Sequence, residues 1–248
     1  MKKSIYLAFL GFSIIIGAQK KAFSPIKITE KQSVLTKTSP LLIKINDSIP
    51  VLIPQKKNGK FGFVNQKGET VIRHEYNNVG FFTEDCNLLN SPNKEVKNIG
   101  SDKYASVQLN GVDFRIDESG KRIYKFKASD LGKCSHEFQP QIFYAYKMND
   151  LYGIIEDGKF KNSGNHSDFT IYPTYQYIHI LEGDDLRNPM IIASQQDKFG
   201  IIDINGNVII PFIYSDIKRN YSWKIARLFE VTTDDTNYYF VDINNKPY

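Results

Sequence analysis

At 248 residues, with 41% hydrophobic and 13% aromatic residues, the chain holds enough apolar surface for one large β domain or two small ones, which excludes a disordered tail. Its formal charge of +5 is unevenly placed: residues 19–60 carry nine lysines against Glu30 and Asp47, which leaves residues 61–248 acidic in balance. That basic lead has no arginine and little aromatic interleaving, so it reads as a solvated linker and no nucleic-acid partner is expected.

In chain order, Lys2 and Lys3, the uncharged run from Ser4 to Ala18 and the small pair Gly17-Ala18 before Gln19 follow the order of a secretory signal. A bilayer core needs roughly 20 apolar residues, so this run is too short to span. Residues 1–18 are expected to be removed as a signal peptide, leaving no membrane span, and no cysteine beside the cut implies a lipid anchor. Residues 19–40 carry Ser24-Pro25 and Ser39-Pro40 among Lys, Thr and Gln and read as a polar basic linker. Residues 41–248 read as a β-repeat domain. Leu41 to Asn46 and Val51 to Ile53 are predicted strands, and Asn58-Gly59 turns the chain into a unit that then recurs.

The clearest copy runs from Lys198 to Ile217: an apolar strand to Ile204, an Asn205-Gly206 turn, a second strand Val208 to Ile210, then Pro211, which cannot donate to a ladder, and Tyr214. An earlier copy is Lys60-Phe61-Gly62-Phe63-Val64-Asn65 with a turn at Lys67-Gly68 and Arg73 where the parent has proline. Gly80 to Lys103 breaks the pattern as an insertion, and Asp113-Phe114-Arg115-Ile116-Asp117 then fills the motif slot faintly. A third copy is Leu151-Tyr152-Gly153-Ile154-Ile155, whose second turn expands into the polar loop Lys159 to Asp168 before Tyr172-Pro173, Tyr177 and Ile178. A predicted strand Ile225 to Thr232 leads into a fifth copy, Tyr238 to Ile243. The motif starts at Phe61, Asp113, Tyr152, Phe199 and Tyr238, in steps of 52, 39, 47 and 39 residues, the range of blade or solenoid repeats.

This unit resembles the bacterial WG (KWG) repeat, whose order is Lys-Trp-Gly-Phe-Ile-Asp, a glycine turn, Val-Ile-Pro and a following Tyr-Asp. Lys198 to Asp203, Gly206, Ile209 to Pro211 and Tyr214 match it with phenylalanine for tryptophan, and Trp223 lies outside the slot. The resemblance implies a β-repeat scaffold and lends no catalytic residues.

Along the motif strand Phe199, Ile201 and Asp203 point one way and Gly200, Ile202 and Ile204 the other, so both faces are apolar and the strand is expected to be sandwiched. Phe61, Tyr152 and Phe199 are therefore expected in the core, with the recurring Gly62, Gly153 and Gly200 leaving a notch for a neighbouring ring.

Candidate chemistry is thin. His74, His136, His166 and His179 share no zinc spacing, and Cys134 with His136 is at most half a nucleophile pair. Asp203-Ile204-Asn205-Gly206 opens like a calcium loop but lacks the closing glutamate, which favours a hairpin turn. Asp184-Asp185 and Asp234-Asp235 are loop carboxylates; a glycosidase would hold two about 5 to 10 Å apart across a cleft. Cys86 and Cys134 stand at similar offsets in neighbouring units, and export would permit a disulfide between them, or else both remain thiols.

These readings predict an all-β protein of four to five antiparallel units of three or four strands, propeller-like, with an open β-solenoid as the alternative. The expected function is an exported, periplasmic or secreted, non-catalytic binding or scaffold module. It would be a monomer without cofactor or metal, recognising a protein or glycan at the cell envelope. The alternatives are an exported hydrolase using the loop carboxylates and an inhibitor or immunity protein. A final expectation places Leu41 to Ile45 beside the fifth unit, closing the array.

Overall fold

The computed structural model describes residues 48–134, 140–183 and 185–248. The chain divides into Met1–Thr38 and Ser39–Tyr248, and every described residue lies in the second part. The signal, the linker, the Leu41 to Ile45 strand, His136 and Asp184 fall outside the described residues.

The described residues form five separate antiparallel sheets, one per repeat. The first holds β1 (Leu52–Lys57), β2 (Lys60–Asn65) and β3 (Thr70–Tyr76). The second holds β4 (Asn78–Phe82), β5 (Ala105–Leu109), β6 (Val112–Ile116) and β7 (Arg122–Lys125). The interruption after Gly80 is an insertion carrying two short helices, α1 (Cys86–Leu89) and α2 (Lys94–Lys97), capped by the Asp85 and Asn93 side chains. The third sheet holds β8 (Phe143–Met148), β9 (Leu151–Glu156) and β10 (Ile171–Tyr175). The fourth holds β11 (Tyr177–Ile180), β12 (Ile191–Gln195), β13 (Lys198–Ile202) and β14 (Val208–Tyr214). The fifth holds β15 (Asp216–Ile217), β16 (Phe229–Thr232) and β17 (Tyr239–Val241).

One prediction fails at Ile225: Ser222–Ala226 is a short helix, α3, and the strand starts only at Phe229. The cause is the packing of the segment's own rings. Trp223 stacks on Phe229 with ring centroids 4.7 Å apart, and Arg227 at φ 54 ends the helix left-handed, so the apolar run folds back on itself instead of extending.

Three local devices repeat. The hairpins joining the paired strands turn on two residues of positive φ, as at Asn58-Gly59, Asn110-Gly111 and Asn149-Asp150, the geometry that matches strand twist. In four of the five copies the acid or amide closing the motif strand builds the next turn: Asn65, Asp117, Asp203 and Asp242 each accept backbone N–H groups from the residues two and four further on. Asp203 is thus a turn cap, the hairpin reading of that segment. Finally, single-residue corners join one sheet to the next, and their side chains hold the neighbouring hairpin: Asn77 accepts from Asn110 N at 2.8 Å, Gln176 from Asp197 N at 2.8 Å and Ser215 from Asp235 N at 3.2 Å.

The glycine of the motif answers to backbone, not to a ring. A Cβ on Gly62, Gly153 or Gly200 would stand 2.4, 2.4 or 2.6 Å from the carbonyl oxygen of Ile72, Ile171 or Ile210, because the next strand bulges across the glycine. The expected ring-filled notch is therefore corrected: the nearest atom at all three is a backbone carbonyl oxygen, with Phe212 Cδ1 also at 3.0 Å over Gly200.

Buried clusters join the sheets in pairs. Phe63, Ile72 and Tyr76 of the first pack with Phe82, Val107 and Ile116 of the second. Ile154 and Ile171 of the third meet Ile191 and Ile202 of the fourth. Ile201 and Ile210 of the fourth meet Phe229 and Val231 of the fifth. A further cluster links the last sheet to the first through Ala226 and Leu228 against Ile53 and Val64, with Phe81 and Phe240 at ring centroids 5.2 Å apart. Each fully buried aliphatic or aromatic side chain in these clusters contributes roughly 1.5–3 kcal/mol.

Candidate binding site between the first and last sheets

Where the last sheet meets the first, a cavity of about 620 Å³ opens between β1 and β4 on one side and α3, β16 and β17 on the other. Phe61, Phe81, Tyr221, Tyr238, Tyr239, Phe240 and Tyr248 give it seven aromatic walls. Each ring arrives for a local reason. Phe61 opens the motif strand beside Lys56, Tyr238 occupies the same slot of the fifth copy, and Tyr221 immediately precedes α3.

The polar lining is ordered by short bonds. Glu230 accepts from Asn220 Nδ2 at 2.6 Å; burial is the main influence on its carboxyl and raises its pKa, against the opposing pull of that bond and of Lys218. Asn220 also accepts from Ser222 N and Oγ. Tyr238 donates to Asp216 at 2.7 Å, and Lys218 Nζ sits 3.8 Å over its ring. Tyr248 donates to Asp242 at 3.0 Å, and burial first, then that carboxylate, push its phenol up to about 12. Lys56 and Lys57 are exposed at the rim, with Lys56 Nζ 5.6 Å over Phe61. The site can therefore grip an apolar or flat group between rings and meet an anion at its lysine edge.

Of the sequence-predicted residues, Phe61 alone among Phe61, Tyr152 and Phe199 lines this cavity. All three are half-buried and flank the cores instead of filling them, a correction to the expectation that they are core residues, although the fourth-sheet motif strand is sandwiched as expected, Ile201 packing toward the fifth sheet and Ile202 toward the third. Fully buried instead are Phe63, Ile154 and Ile201, two residues on, together with Val64 and Ile202 on the opposite face. The slot rings lie under cations: Lys147 is 5.8 Å from Tyr152, and Arg219 is 5.9 Å from Phe199 and 4.8 Å from Tyr177. Tyr214 is buried and cross-strand from Phe199, donating to Asn245, and burial pushes it up to about 12; Pro211 is exposed.

Cys86 and Cys134 are joined as a disulfide, Cα atoms 5.5 Å apart, pinning the start of α1 to the segment after β7. Beside it lies a second cavity of about 280 Å³ whose wall includes Arg115. Arg115 is 1% exposed and donates to the carbonyls of Thr83, Ile99 and Ser101 and to Ser106 Oγ, at 2.8 to 3.1 Å. Burial lowers its pKa to about 10, so it stays charged at neutral pH. Sequence reading passed over it because an arginine in a motif strand looks like a solvent-facing residue.

The described loop carboxylates Asp185 and Asp234 each bond within their own loop. Asp234 accepts from the backbone of Asn237 and Thr236 and from Thr232 Oγ1, bonds that hold its carboxyl well below the usual range. Asp185 caps its own loop through Arg187 N and Asn188 N. Neither lines either cavity. Among the described residues no group of three or more His, Cys, Asp and Glu is placed to hold a metal ion, and no helix is long and apolar enough to cross a membrane.

Five small antiparallel sheets, built on one recurring strand-turn-strand plan, define a β-repeat protein. The family model described as WG containing repeat matches residues 61–86 and 199–223, so the first and fourth copies are similar to that repeat. Among curated proteins none matches this chain. Among solved structures, the crystal structure of a eukaryotic initiation factor is similar at 12% identity over 79% of this chain and 51% of that one, with a TM-score of 0.26. The chain thus spans about half the length of that protein.

Proposed function

We propose that this is an exported, non-catalytic binding module whose ligand, a protein or glycan at the cell envelope, is held at the junction of the first and last repeats. The observation that carries the reading is the cavity of about 620 Å³ walled by seven aromatic rings and edged by Lys56 and Lys57. Concave sites of this size lined by aromatics with a few polar groups are the usual form of a ligand site. The five sheets are read as a propeller-like ring, supported by the cluster that joins the last sheet to the first. Export is supported by the order of lysines, apolar run and small residues at the N-terminus, and by the Cys86–Cys134 disulfide.

The experiment is retention of the full chain on a glycan array and of envelope proteins on the immobilised chain, each repeated with Tyr221→Ala. Tyr221 is half exposed, so its loss should spare the fold while weakening capture. Capture unchanged by Tyr221→Ala moves the site elsewhere. Mass spectrometry of the envelope fraction should find a terminus near Gln19; an intact Met1 terminus in the cytoplasm overturns export.

A further inference from the structure

We propose that the junction cavity receives a short zwitterionic peptide, its ammonium group held by Glu230 on one wall and its carboxylate met by Lys56 and Lys57 on the other. The proposal rests on the reading that this cavity is the binding site, and narrows the class of its ligand.

The two charges reach the cavity from different sheets. Lys56 and Lys57 end β1, just before the Asn58-Gly59 turn, and both are exposed. Glu230 lies on β16, in the sheet that packs on the first through Ala226 and Leu228 against Ile53 and Val64. All three line the cavity, which therefore has one basic wall and one acidic wall.

Glu230 is short of positive charge. One of its oxygens accepts from the neutral Asn220 amide at 2.6 Å, and Asn220 is itself fixed by accepting from Ser222 N and Oγ. Lys218, the cation that attracts it, has its Nζ 3.8 Å over the ring of Tyr238, which donates to Asp216. Burial, helped by the Asp216 charge, outweighs Asn220 and Lys218 and holds the Glu230 carboxyl above its ordinary value. A guest ammonium would offset that uncompensated charge, and a hydrogen bond to an ionised carboxylate is about twice as strong as a neutral one.

The rings favour the same charge. Three of them already sit under ammonium groups of this chain: Phe61 under Lys56 at 5.6 Å, Tyr238 under Lys218, and Tyr248 under Lys246 at 4.8 Å. Tyr221, next to Asn220 in sequence and 51% exposed, offers a further ring on the acidic wall. A simple amine would meet Lys56 and Lys57 as like charges. An acid group at its far end turns that repulsion into attraction, so the wall that excludes plain cations selects zwitterions. Gln55, Asn78 and Asn220 already bond to His74, Val79 N and Glu230, which leaves saccharide hydroxyls few side-chain partners, whereas apolar peptide side chains can lie on the rings.

The test titrates the full chain with di-, tri- and tetrapeptides of phenylalanine and alanine, each with free ends, with the amine acetylated and with the carboxyl amidated. Extended peptides span about 3.3–3.6 Å per residue, so the best length reports the separation of the charged walls. Free-ended peptides should bind about tenfold or more tighter than either blocked form. Glu230→Gln, which keeps an acceptor for Asn220, should abolish the penalty of acetylation alone. Lys56→Gln with Lys57→Gln, at exposed positions, should abolish the penalty of amidation alone. Each variant is read by the end of the peptide it stops sensing, which a change in stability does not mimic. Blocked peptides that bind as well as free ones, or penalties unchanged in the variants, overturn the proposal. If no peptide binds while an envelope glycan or protein is captured and lost with Tyr221→Ala, the zwitterion falls and the binding reading stands; if nothing is captured, both fall.

Discussion

The second sheet and the fourth follow one plan with opposite chemistry. In the fourth, Phe199-Gly200-Ile201 places a half-buried ring, a bare backbone and a buried aliphatic in succession. In the second, Asp113-Phe114-Arg115 occupies the same three places. The glycine is dispensable in the second because β7 pairs straight across it, Phe114 with Lys125 and Arg115 with Tyr124, whereas β14 skips from Tyr214 to Ile210 and lays a carbonyl over Gly200. A motif glycine is thus required by a bulge in the neighbouring strand and not by the strand that carries it. Arg115, in turn, takes the place of Ile201 because the insertion after β4 turns three carbonyls toward it.

The sharpest way to break this comparison is Arg115→Met. It keeps the volume but strands the carbonyls of Thr83, Ile99 and Ser101, and each buried acceptor left unpaired costs about 1–3 kcal/mol, so a loss of roughly 4 kcal/mol is expected in urea melts. A loss under about 1 kcal/mol would mean water replaces the guanidinium. Next in size is Gly200→Ala. Its methyl group would meet Ile210 O at 2.6 Å and Phe212 N at 3.1 Å, so the bulge must shift, at about 1–3 kcal/mol. The converse, Phe114→Gly, should give no relief, since nothing bulges over that position; stabilisation there would refute the bulge rule.

Phe199→Ala comes third. For a half-buried ring flanking its core, the expected cost is about 1–2 kcal/mol, below the roughly 3–5 kcal/mol of a fully buried phenylalanine. A larger loss would show that the stack of Tyr177 and Arg219 over the ring, with Tyr177 at 5.7 Å, is a substantial part of the fold.

What the sequence disclosed and what it hid divide by range. The hairpins at Asn58-Gly59 and Asn110-Gly111, the motif strands and the turn at Asp203 rest on residues close in sequence, and their pattern could be read directly. The five motif starts, read as four to five units, correspond to the five sheets among the described residues. The carbonyls over Gly62 and Gly200 come from the paired strand, and the ring stacked on the Ser222–Ala226 helix from Phe229, contacts that the alternation of polar and apolar residues does not report; the burial of Arg115 depends on a segment farther off, at Thr83. The cavity was hidden for the same reason: its walls come from Lys56 and Tyr238, at opposite ends of the described chain, and their neighbourhood exists only once the last sheet packs on the first.

The smallest effect sharpens the comparison within the turns, where Asp203 in the fourth sheet does what Asn65 does in the first. Both accept two backbone N–H groups through one oxygen, so Asp203→Asn should keep the turn and cost under about 1 kcal/mol at neutral pH, the difference between a charged and a neutral acceptor. Its effect on pH dependence has a definite sign. Burial, the largest influence, pushes the Asp203 carboxyl up, but the bonds from Asn207 and Asn205 outweigh it and hold the pKa below its ordinary value of 3.8. A carboxyl depressed on folding stabilises the fold above its unfolded pKa, and that contribution is lost as pH falls through the folded value. Wild type should therefore lose stability below about pH 4, the ordinary carboxylate range, and Asp203→Asn should lose less of it over the same interval. Urea melts at neutral pH and near pH 3 measure both slopes; equal slopes would mean that the Asp203 turn opens before its carboxyl titrates, and that the charge adds nothing to what Asn65 achieves without one.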